Sequence, residues 1–224
     1  CRNIAVGTAS PIPGSAALLV QALTNGASRA SILGSNIHNP FNDGGPELFD
    51  RAGQGRVDAF FLGGGQIDGE GNINLVGTGP YPEPDTRFPG SFGSAYLYFT
   101  VPRVILFREE HSRRVFVDKV DFISAPGWSP PGVHRPGGPH ALVTSLCIFM
   151  YDKTRHRFRL DGLLPGATLE EVRDNTGFDF DCPDDVGPVT PPEPNRVALI
   201  HSRIAGEIAE TYPEFARNRL GWQG

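Results

Sequence analysis

The chain has few of the features that mark secreted, membrane or nucleic-acid-binding proteins. Its 224 residues include 3 cysteines, Cys1, Cys147 and Cys182, an odd number with no paired spacing. No apolar run approaches the roughly 20 residues that a membrane-spanning helix needs. The formal net charge is −5, and the basic clusters at 113–114 and 155–159 are short. These absences argue against a disulfide framework, a membrane span and a nucleic-acid footprint, so we expect a reduced, cytoplasmic protein.

Several chemical motifs are also missing. Gly63 and Gly65 fit the start of a dinucleotide-binding G-x-G-x-x-G pattern, but Asp68 stands at its third glycine position. There is no Walker A loop and no G-x-S-x-G nucleophile elbow. The histidines have no metal-ligand spacing, so we expect no metal site; they are His38, His111, His134, His140, His156 and His201.

Apolar periodicity and turn residues predict alternating strands and helices. A strand at 4–6, a helix at 14–23 and a strand at 31–33 form a βαβ-sized unit, which implies parallel strands. A capping box begins at Thr168 and opens a further helix. The other expected elements are strands at 57–62, 73–75, 104–107, 115–123, 142–151 and 158–164, helices at 43–52 and 195–212, and irregular loops at 80–89 and 126–139, while 95–100 fits a strand or a helix.

The stretch at 56–79 is the most informative part of the chain. A buried apolar strand ends in Gly63, Gly64 and Gly65, and a tight turn at 69–72 leads into a second short strand. Glycines at the end of a buried strand let bare backbone amides approach a ligand. A plain hairpin has the same pattern, so the stretch by itself leaves both interpretations open.

One dense group of titratable side chains occurs where Glu109 and Glu110 precede His111. Such a group suits general acid–base catalysis. A solvated connection between two strands is the simpler interpretation of the same residues.

Four stretches taken together resemble family I coenzyme A transferases, in particular the B chain of the glutaconate type. They are GGGQIDGEGNIN, RFPGSFGSA, VFVDKVDFISAPG and PGATLEEVRDNTGFDF, and they follow the family order over nearly the whole chain. The resemblance implies a single α/β domain of the type shared with sugar-phosphate isomerases. In that fold an open, mostly parallel sheet is flanked by helices, with an added antiparallel hairpin region.

We expect this domain at 1–182, a proline-rich linker at 183–194 and a C-terminal helix within 195–224 that packs back on the domain. Because strand-like sequence follows Cys1 almost at once, we also expect the native chain to begin further upstream. The resemblance further implies an A (alpha) subunit on a second chain. The expected assembly is a heterodimer or an α2β2 heterotetramer with the active site at the interface of the two subunits.

In the family that this chain resembles, a glutamate of the beta subunit attacks the acyl-CoA and forms a glutamyl-CoA thioester. The corresponding turn here is Gly34, Ser35 and Asn36, so glycine stands in the place of the glutamate. Neighbouring residues supply no carboxylate, and the first one further along the chain is Asp43. Phe92 likewise stands where the family has a glycine, and its ring is expected to reshape the wall of the acyl or pantetheine pocket.

Three functions remain open. In the first, the chain is a subunit of an acyl-CoA hydrolase that opens a carbon–carbon bond in a cyclic acyl-CoA, as in steroid and ring catabolism. The acid–base carboxylate then lies on the alpha subunit. Alternatively, it belongs to a glutaconate- or 3-oxoacid-type CoA transferase whose nucleophile comes from elsewhere. In the third case it is a non-catalytic structural subunit or ligand sensor that keeps only the fold. We expect a coenzyme A thioester as substrate, no permanently bound cofactor, and no nucleic-acid or membrane partner.

The resemblance and the glycine pattern together select the candidate site. Backbone amides of two glycine turns are expected to hold the thioester oxygen. Asn72 and Asn74 are expected to hold the first turn together, and replacing Gly64 with Val is expected to weaken acyl-CoA binding with little loss of fold. The catalytic candidates are Gln66 and Glu109. The binding candidates are Gly63, Gly64, Gly65, Gln66, Gly90, Ser91, Phe92, Gly93 and Ser94.

Overall fold

The structure, a computed structural model, describes residues 1–224 and divides them into two compact units. The first unit contains residues 1–61 and 190–224, and the second contains residues 62–189. The strands are β1 Asn3–Val6, β2 Arg29–Ile32, β3 Ala59–Leu62, β4 Gln66–Ile67, β5 Ile73–Asn74, β6 Gly77–Thr78, β7 Thr86–Arg87, β8 Arg103–Arg108, β9 Pro139–Thr144, β10 Cys147–Asp152 and β11 Arg157–Leu163. The helices are α1 Pro11–Leu23, α2 Gly45–Gly53, α3 Ser94–Thr100, α4 Leu169–Asn175, α5 Pro194–Leu199, α6 Ala205–Ala209 and α7 Pro213–Leu220, and a π-helical turn, Ile200–Ile204, joins α5 to α6.

A parallel sheet forms the centre of the first unit. β1 lies between β2 and β3 and pairs with both in parallel, with Ile4 opposite Ala30 on one side and Ala59 on the other. The helix α1 connects β1 to β2 and contributes the buried Leu18 to the core beside these strands. The predicted βαβ unit is therefore confirmed.

The C-terminal helices belong to the same unit and pack on α1. A Cβ atom added at Gly14 would lie 2.9 Å from Ile208 Cδ1, so glycine at this position lets α1 and α6 approach closely. The sequence predicted one helix at 195–212, whereas the structure has α5, the π-helical turn and α6. The wider π-helical turn shifts the apolar face. As a result Ile204 and Ile208 are fully buried while Val197 is 36% exposed.

The second unit contains four longer strands. β8 and β9 are parallel, and β10 is antiparallel to both β9 and β11. Together with the parallel strands of the first unit, this arrangement confirms the α/β class and its antiparallel hairpin region. The predicted strand at 142–151 is in fact two strands, because the Thr144 hydroxyl accepts hydrogen bonds from the Leu146 and Cys147 amides and closes a tight turn between β9 and β10.

Two further segments of the second unit settle how its sequence is interpreted. The predicted strand at 115–123 is wrong, since its backbone forms only isolated bridges, such as that from Phe116 to Ile67 in β4. Val115, Phe116 and Val120 are buried, so the apolar alternation reflects a loop packed against a hairpin whose strands are too short to extend a ladder.

The ambiguous segment at 95–100 is helical, in α3. The capping box at Thr168 is confirmed at the start of α4. None of the helices has both the length and the apolar character needed to cross a membrane.

Candidate functional site

The first glycine turn is tightly packed. A Cβ atom at Gly64 would lie 2.8 Å from Ile73 Cγ2 and 2.9 Å from the Gln66 carbonyl oxygen, and one at Gly65 would overlap the Phe88 ring. Ile73 is fully buried and the Gln66 oxygen belongs to the backbone, so neither can give way easily at Gly64. The expectation that Gly64→Val would leave the fold nearly intact is therefore wrong. We call residues 63–65 the glycine loop.

The backbone of the glycine loop is partly committed to the hairpin that β4 and β5 form. The Gly65 amide donates to the Asn74 carbonyl at 2.9 Å, and β4 pairs with β5 in antiparallel fashion. A Cβ atom at Gly63 would lie 3.4 Å from the Phe107 carbonyl oxygen, which puts the loop beside the C-terminal end of β8. The loop thus lies at the end of a parallel strand, the position where open α/β sheets bind ligands.

Gln66 lies inside the protein, in a hydrogen-bond network. Its side chain is 6% exposed. Its Oε1 accepts from Asn74 Nδ2 at 2.7 Å and from the Asp121 amide at 3.0 Å, and its Nε2 donates to Asp121 Oδ2 at 3.2 Å. These bonds join the hairpin to the loop that carries Asp121. Only one Nε2 hydrogen remains for a ligand.

The hairpin turn depends on a buried carboxylate that the sequence analysis did not single out, Asp68. This side chain is 3% exposed and accepts hydrogen bonds from the Glu70 amide, the Asn72 amide and Asn72 Nδ2, at 3.0–3.1 Å. Burial raises the pKa of Asp68, and the bonds from Asn72 oppose that rise. An aspartate followed by G-E-G-N is a sequence signal for such a turn, since Asp side chains bond to backbone amides a few residues on.

Asn72 and Asn74 hold the turn together, as predicted. Asn74 Oδ1 accepts from the Val76 and Gly77 amides at 2.9 and 3.2 Å, an Asx-type arrangement. Asn72 Oδ1 accepts from the Gly127 amide at 3.0 Å. The hairpin is therefore rigidly attached to the irregular loop at 126–138.

The second glycine turn, residues 90–94, is open and carries an exposed ring. Gly90 has φ +109° and Phe92 has φ +39°, so both occupy the left-handed region that non-glycine residues seldom adopt. The Phe92 side chain is 86% exposed. The Ser94 amide donates to the Ser91 carbonyl at 2.8 Å, while the Ser94 hydroxyl is buried without a hydrogen-bond partner.

The three titratable residues that follow β8 have separate environments. Glu109 is exposed. Glu110 accepts a hydrogen bond from Ser112 Oγ at 2.6 Å and pairs with Arg114, and these contacts lower its pKa. His111 is buried between the Thr144 and Thr176 hydroxyls at 2.8 and 2.9 Å, and burial lowers its pKa to about 4. The structure therefore corrects the interpretation of 109–111 as a solvated turn, because His111 is a core residue held by two threonines.

In the first unit, the turn after β2 adopts a conformation that suits glycine. Gly34 has φ +88°. A Cβ atom there would meet only Thr8 Cγ2, at an ordinary contact distance of 3.7 Å. The position thus has space for a side chain, and the limitation is backbone strain.

A distant carboxylate reaches this turn, which the sequence analysis missed. Glu210, which follows α6, accepts hydrogen bonds from Ser35 Oγ at 2.7 Å, from the Asn36 amide at 2.8 Å and from Asn36 Nδ2 at 2.9 Å. The expectation that no carboxylate is available beside Gly34 holds only for neighbours in sequence. A separation of 174 or 175 residues leaves no local pattern that could have revealed the contact.

The hydrogen bonds to Glu210 hold it as a fully ionised anchor. Burial alone would raise the pKa of Glu210, but bonds from Thr211, Ser35 and Asn36 outweigh it and lower the pKa to about 2. Ser35 is 4% exposed and its oxygen also accepts from the Ile37 and His38 amides at 3.2 and 2.9 Å. A carboxylate with so many donors is a weak base and a weak nucleophile, so this geometry suits a structural clamp. No group of three or more His, Cys, Asp or Glu side chains is arranged to hold a metal ion.

Comparison with known proteins shows that this chain is similar to a family of enzymes and to several of its members. Residues 3–175 match the family model described as coenzyme A transferase. Over 151 residues the chain is 36% identical to the B chain of the glutaconate CoA-transferase of Acidaminococcus fermentans, covering 64% of this chain and 56% of that protein. Over 158 residues it is 31% identical to the cholesterol ring-cleaving hydrolase IpdB subunit of Rhodococcus jostii, covering 69% and 62%. The chain therefore spans less than two thirds of the length of these relatives.

The fold is also similar to that of a solved enzyme, the decarboxylase AibA/AibB. The TM-score is 0.75 at 25% sequence identity, over 98% of this chain and 91% of that chain. The proteins that this chain is similar to thus include a transferase subunit, a hydrolase subunit and a decarboxylase.

Proposed function

The chain belongs to the coenzyme A transferase family, and we propose that it is the beta subunit of a heteromeric enzyme that acts on an acyl-CoA without forming a glutamyl thioester. The partner in this proposal is an alpha subunit, in a heterodimer or an α2β2 heterotetramer. The reaction that fits best is hydrolysis of a carbon–carbon bond in a cyclic acyl-CoA. The similarity to the IpdB subunit supports this reaction class.

One observation carries the proposal: Gly34 lies in the turn where the transferases of this family have their glutamate. Gly34 has no side chain, and the neighbouring Ser35 is tied to Glu210 at 2.7 Å. A glutamyl-CoA thioester therefore has no carboxylate from which to form at that position. Transfer through a covalent intermediate on the beta subunit requires that group, whereas hydrolysis does not.

In the proposed reaction this chain binds the thioester and the alpha subunit supplies the acid–base carboxylate. Water adds its oxygen to a ring carbonyl carbon, the adjacent carbon–carbon bond breaks, and the departing carbon takes up a proton. Charge that develops on the carbonyl oxygen needs hydrogen-bond donors. The candidate donors are backbone amides of residues 63–66 and 90–94. The Gly65 and Ser94 amides already donate to the Asn74 and Ser91 carbonyls, which leaves the other amides and one Gln66 Nε2 hydrogen.

Glu109 and Phe92 have separate roles in the proposal. Glu109 follows β8 and is exposed, and the glycine loop approaches the end of the same strand. We therefore assign to Glu109 the movement of a proton beside the loop. Phe92, 86% exposed, supplies an apolar wall for the acyl group.

A second candidate function, CoA transfer, is favoured by Glu210. Its carboxylate lies against the turn that contains Gly34, through Ser35 and Asn36. Its pKa of about 2 makes attack on a thioester slow, because a strongly stabilised carboxylate is a poor nucleophile. The two functions differ in whether an adduct forms on this chain.

The test begins with the purified complex of this chain and its alpha subunit. The complex is incubated with acyl-CoA and treated with borohydride, which reduces a glutamyl thioester to an alcohol, and each of the two chains is weighed by mass spectrometry. We expect no mass change on this chain and no transfer of CoA to acetate or succinate, while a cyclic acyl-CoA is opened by water.

Glu210→Gln is the matched variant for this test. A reduced adduct on the unmodified chain that disappears in Glu210→Gln would replace hydrolysis by the transferase function. An adduct that persists in the variant would place the nucleophile elsewhere on this chain and would also contradict the proposal. A chain that purifies as a stable monomer and ignores a co-expressed alpha subunit would contradict the proposed assembly.

A further inference from the structure

A basic pocket lies in the second unit, at the opposite end of β8 from the glycine loop. The cavity has a volume of about 200 Å³, and its lining includes Trp128, Arg135, Tyr151, Lys153 and His156. Lys153 Nζ donates to the carbonyl of Pro102, just before β8, at 3.2 Å, whereas the glycine loop approaches the carbonyl of Phe107. Five residues of strand separate the two carbonyls, which corresponds to about 16 Å.

The cations of this pocket lack acidic partners. Neither Arg135 nor Lys153 takes part in any of the ion pairs of the chain. Among the carboxylates near the pocket, that of Glu70 accepts hydrogen bonds from Trp128 Nε1 at 3.2 Å and Asn72 Nδ2 at 3.4 Å. That of Asp152 accepts from the Thr154 and Arg155 amides at 2.8 and 3.0 Å. Arg135 is partly buried, and Lys153 is exposed at the same cavity. Partly buried charged side chains are normally paired, so an unpaired guanidinium beside a second cation needs a separate explanation.

Arg135 retains donors that the protein does not use. Its Nη2 donates to the Pro126 carbonyl at 2.7 Å and the Tyr98 carbonyl at 3.3 Å, and its Nη1 donates to Ser129 Oγ at 3.3 Å. Its Nε is buried without a partner. The guanidinium also lies over the Tyr98 and Phe99 rings at 5.4 and 5.6 Å from their centroids. The group is therefore fixed in place, and one Nη1 hydrogen is left for a ligand. Guanidinium groups held in this way suit planar oxyanions.

The cations of the pocket repel one another. Desolvation lowers the pKa of Lys153, and repulsion from Arg135 and Arg103 lowers it further. Desolvation likewise lowers the pKa of Arg135, and no carboxylate opposes the shift. An anion in the cavity would relieve this repulsion and would pair with both side chains.

Aromatic rings give the pocket a firm wall. Trp128 and His156 are stacked with ring centroids 4.5 Å apart and an interplanar angle of 9°. The Tyr151 hydroxyl donates to the Glu70 carbonyl at 2.7 Å. The volume is below the roughly 300–1,000 Å³ of sites for drug-sized ligands, so the space fits a small anion or the anionic end of a larger one.

We propose that this pocket binds an oxyanion, the phosphate or carboxylate group of a small ligand, between Arg135 and Lys153. The site is separate from the function proposed above and does not depend on it. It holds its ligand through charge-assisted hydrogen bonds from the guanidinium and ammonium groups. The stacked Trp128 and His156 form its outer wall.

The test uses titration calorimetry with inorganic phosphate and, separately, with succinate, at constant ionic strength maintained with chloride. Lys153→Gln is the main variant, because glutamine keeps a polar side chain with N–H donors while the charge is lost. Arg135 is unsuitable as the main variant, since its bonds to backbone carbonyls also hold the loop. Lys119→Gln is the matched control, since Lys119 is exposed, outside the pocket and the only other lysine of the chain.

We expect one of the two anions to bind at one site per chain, at least about tenfold more weakly in Lys153→Gln and unchanged in Lys119→Gln. Lys153→Arg, which keeps the charge, should retain binding. Tighter binding of phosphate would identify a phosphate ligand, and tighter binding of succinate a carboxylate ligand. Absence of binding by both anions at millimolar concentration, or equal weakening in Lys119→Gln, would overturn the proposal.

Discussion

The glycine loop of the second unit and the Gly34 turn of the first unit use glycine for different physical reasons. Gly64 is required because neighbouring atoms occupy the space of a side chain, since a Cβ atom there would lie 2.8 Å from Ile73 Cγ2. Gly34 has open space around it and is required by its φ of +88°. Glycine thus satisfies a packing constraint in one turn and a backbone constraint in the other.

The two turns also differ in what holds them. The hairpin that follows the glycine loop is fastened by Asp68, Asn72 and Asn74, all within a few residues of one another. The Gly34 turn is fastened by Glu210, from the opposite end of the chain. Residues close in sequence therefore stabilise the hairpin turn, while the Gly34 turn is stabilised only when the first unit is folded.

The largest expected effect is that of Gly64→Ala. Its methyl group would press on the buried Ile73 and the Gln66 carbonyl, and overpacking of this kind costs about 1–3 kcal/mol. Urea unfolding of the variant should show this loss of stability. The matched control is Gly206→Ala in α6, where a Cβ atom meets nothing within 4 Å and alanine should stabilise the helix by about 0.5–1 kcal/mol. Equal stability of the two variants would contradict the crowding at Gly64.

Glu210→Gln should have the next largest effect. Charge-assisted hydrogen bonds contribute about 1.5–3 kcal/mol each, and glutamine keeps only part of the set that Ser35 and Asn36 provide. We expect a loss of about 2 kcal/mol at pH 7, measured by denaturant unfolding. Glu83→Gln, at an exposed position outside the helices, serves as the control and should change stability little.

The pH dependence of the same variant gives an independent measurement. Because the pKa of Glu210 is lowered to about 2 in the folded chain, its stabilising contribution is present above the unfolded value of about 4.3 and is lost as pH falls towards 2. The wild-type chain should therefore lose more stability between about pH 5 and pH 2 than Glu210→Gln does. Parallel pH profiles of the two proteins would show that the clamp is not formed in solution.

Gly34→Ala should have the smallest effect. A non-glycine residue at φ +88° costs about 1 kcal/mol, because the Cβ atom crowds its own backbone. Gly26→Ala is the matched control, since Gly26 has φ +80° and nothing within 4 Å of a Cβ position. The two variants should lose similar stability by thermal or urea unfolding. A much larger loss at Gly34 would mean that the turn is crowded after all.

The elements that could be predicted from the sequence are those whose causes are local. The βαβ unit from β1 to β2, the capping box at Thr168 and the Asx-type turn at Asn74 depend on residues within a few positions of one another. The segment at 115–123 was wrongly predicted as a strand, because a buried loop and a strand share the same alternation of apolar residues. A π-helical turn interrupts the predicted helix at 195–212. The sequence did not predict this interruption, because such a turn leaves no strong local signal.

The sequence by itself determined the α/β class, the hairpin after the glycine loop and the absence of a glutamate at Gly34, because each depends on residue type and short-range spacing. Only the tertiary structure decided that Glu210 occupies the Gly34 turn, that His111 is buried between two threonines, and that Arg135 and Lys153 share one cavity. These contacts join residues 18 to 175 positions apart. Their formation depends on how strands and helices pack, which short-range patterns in the chain do not encode.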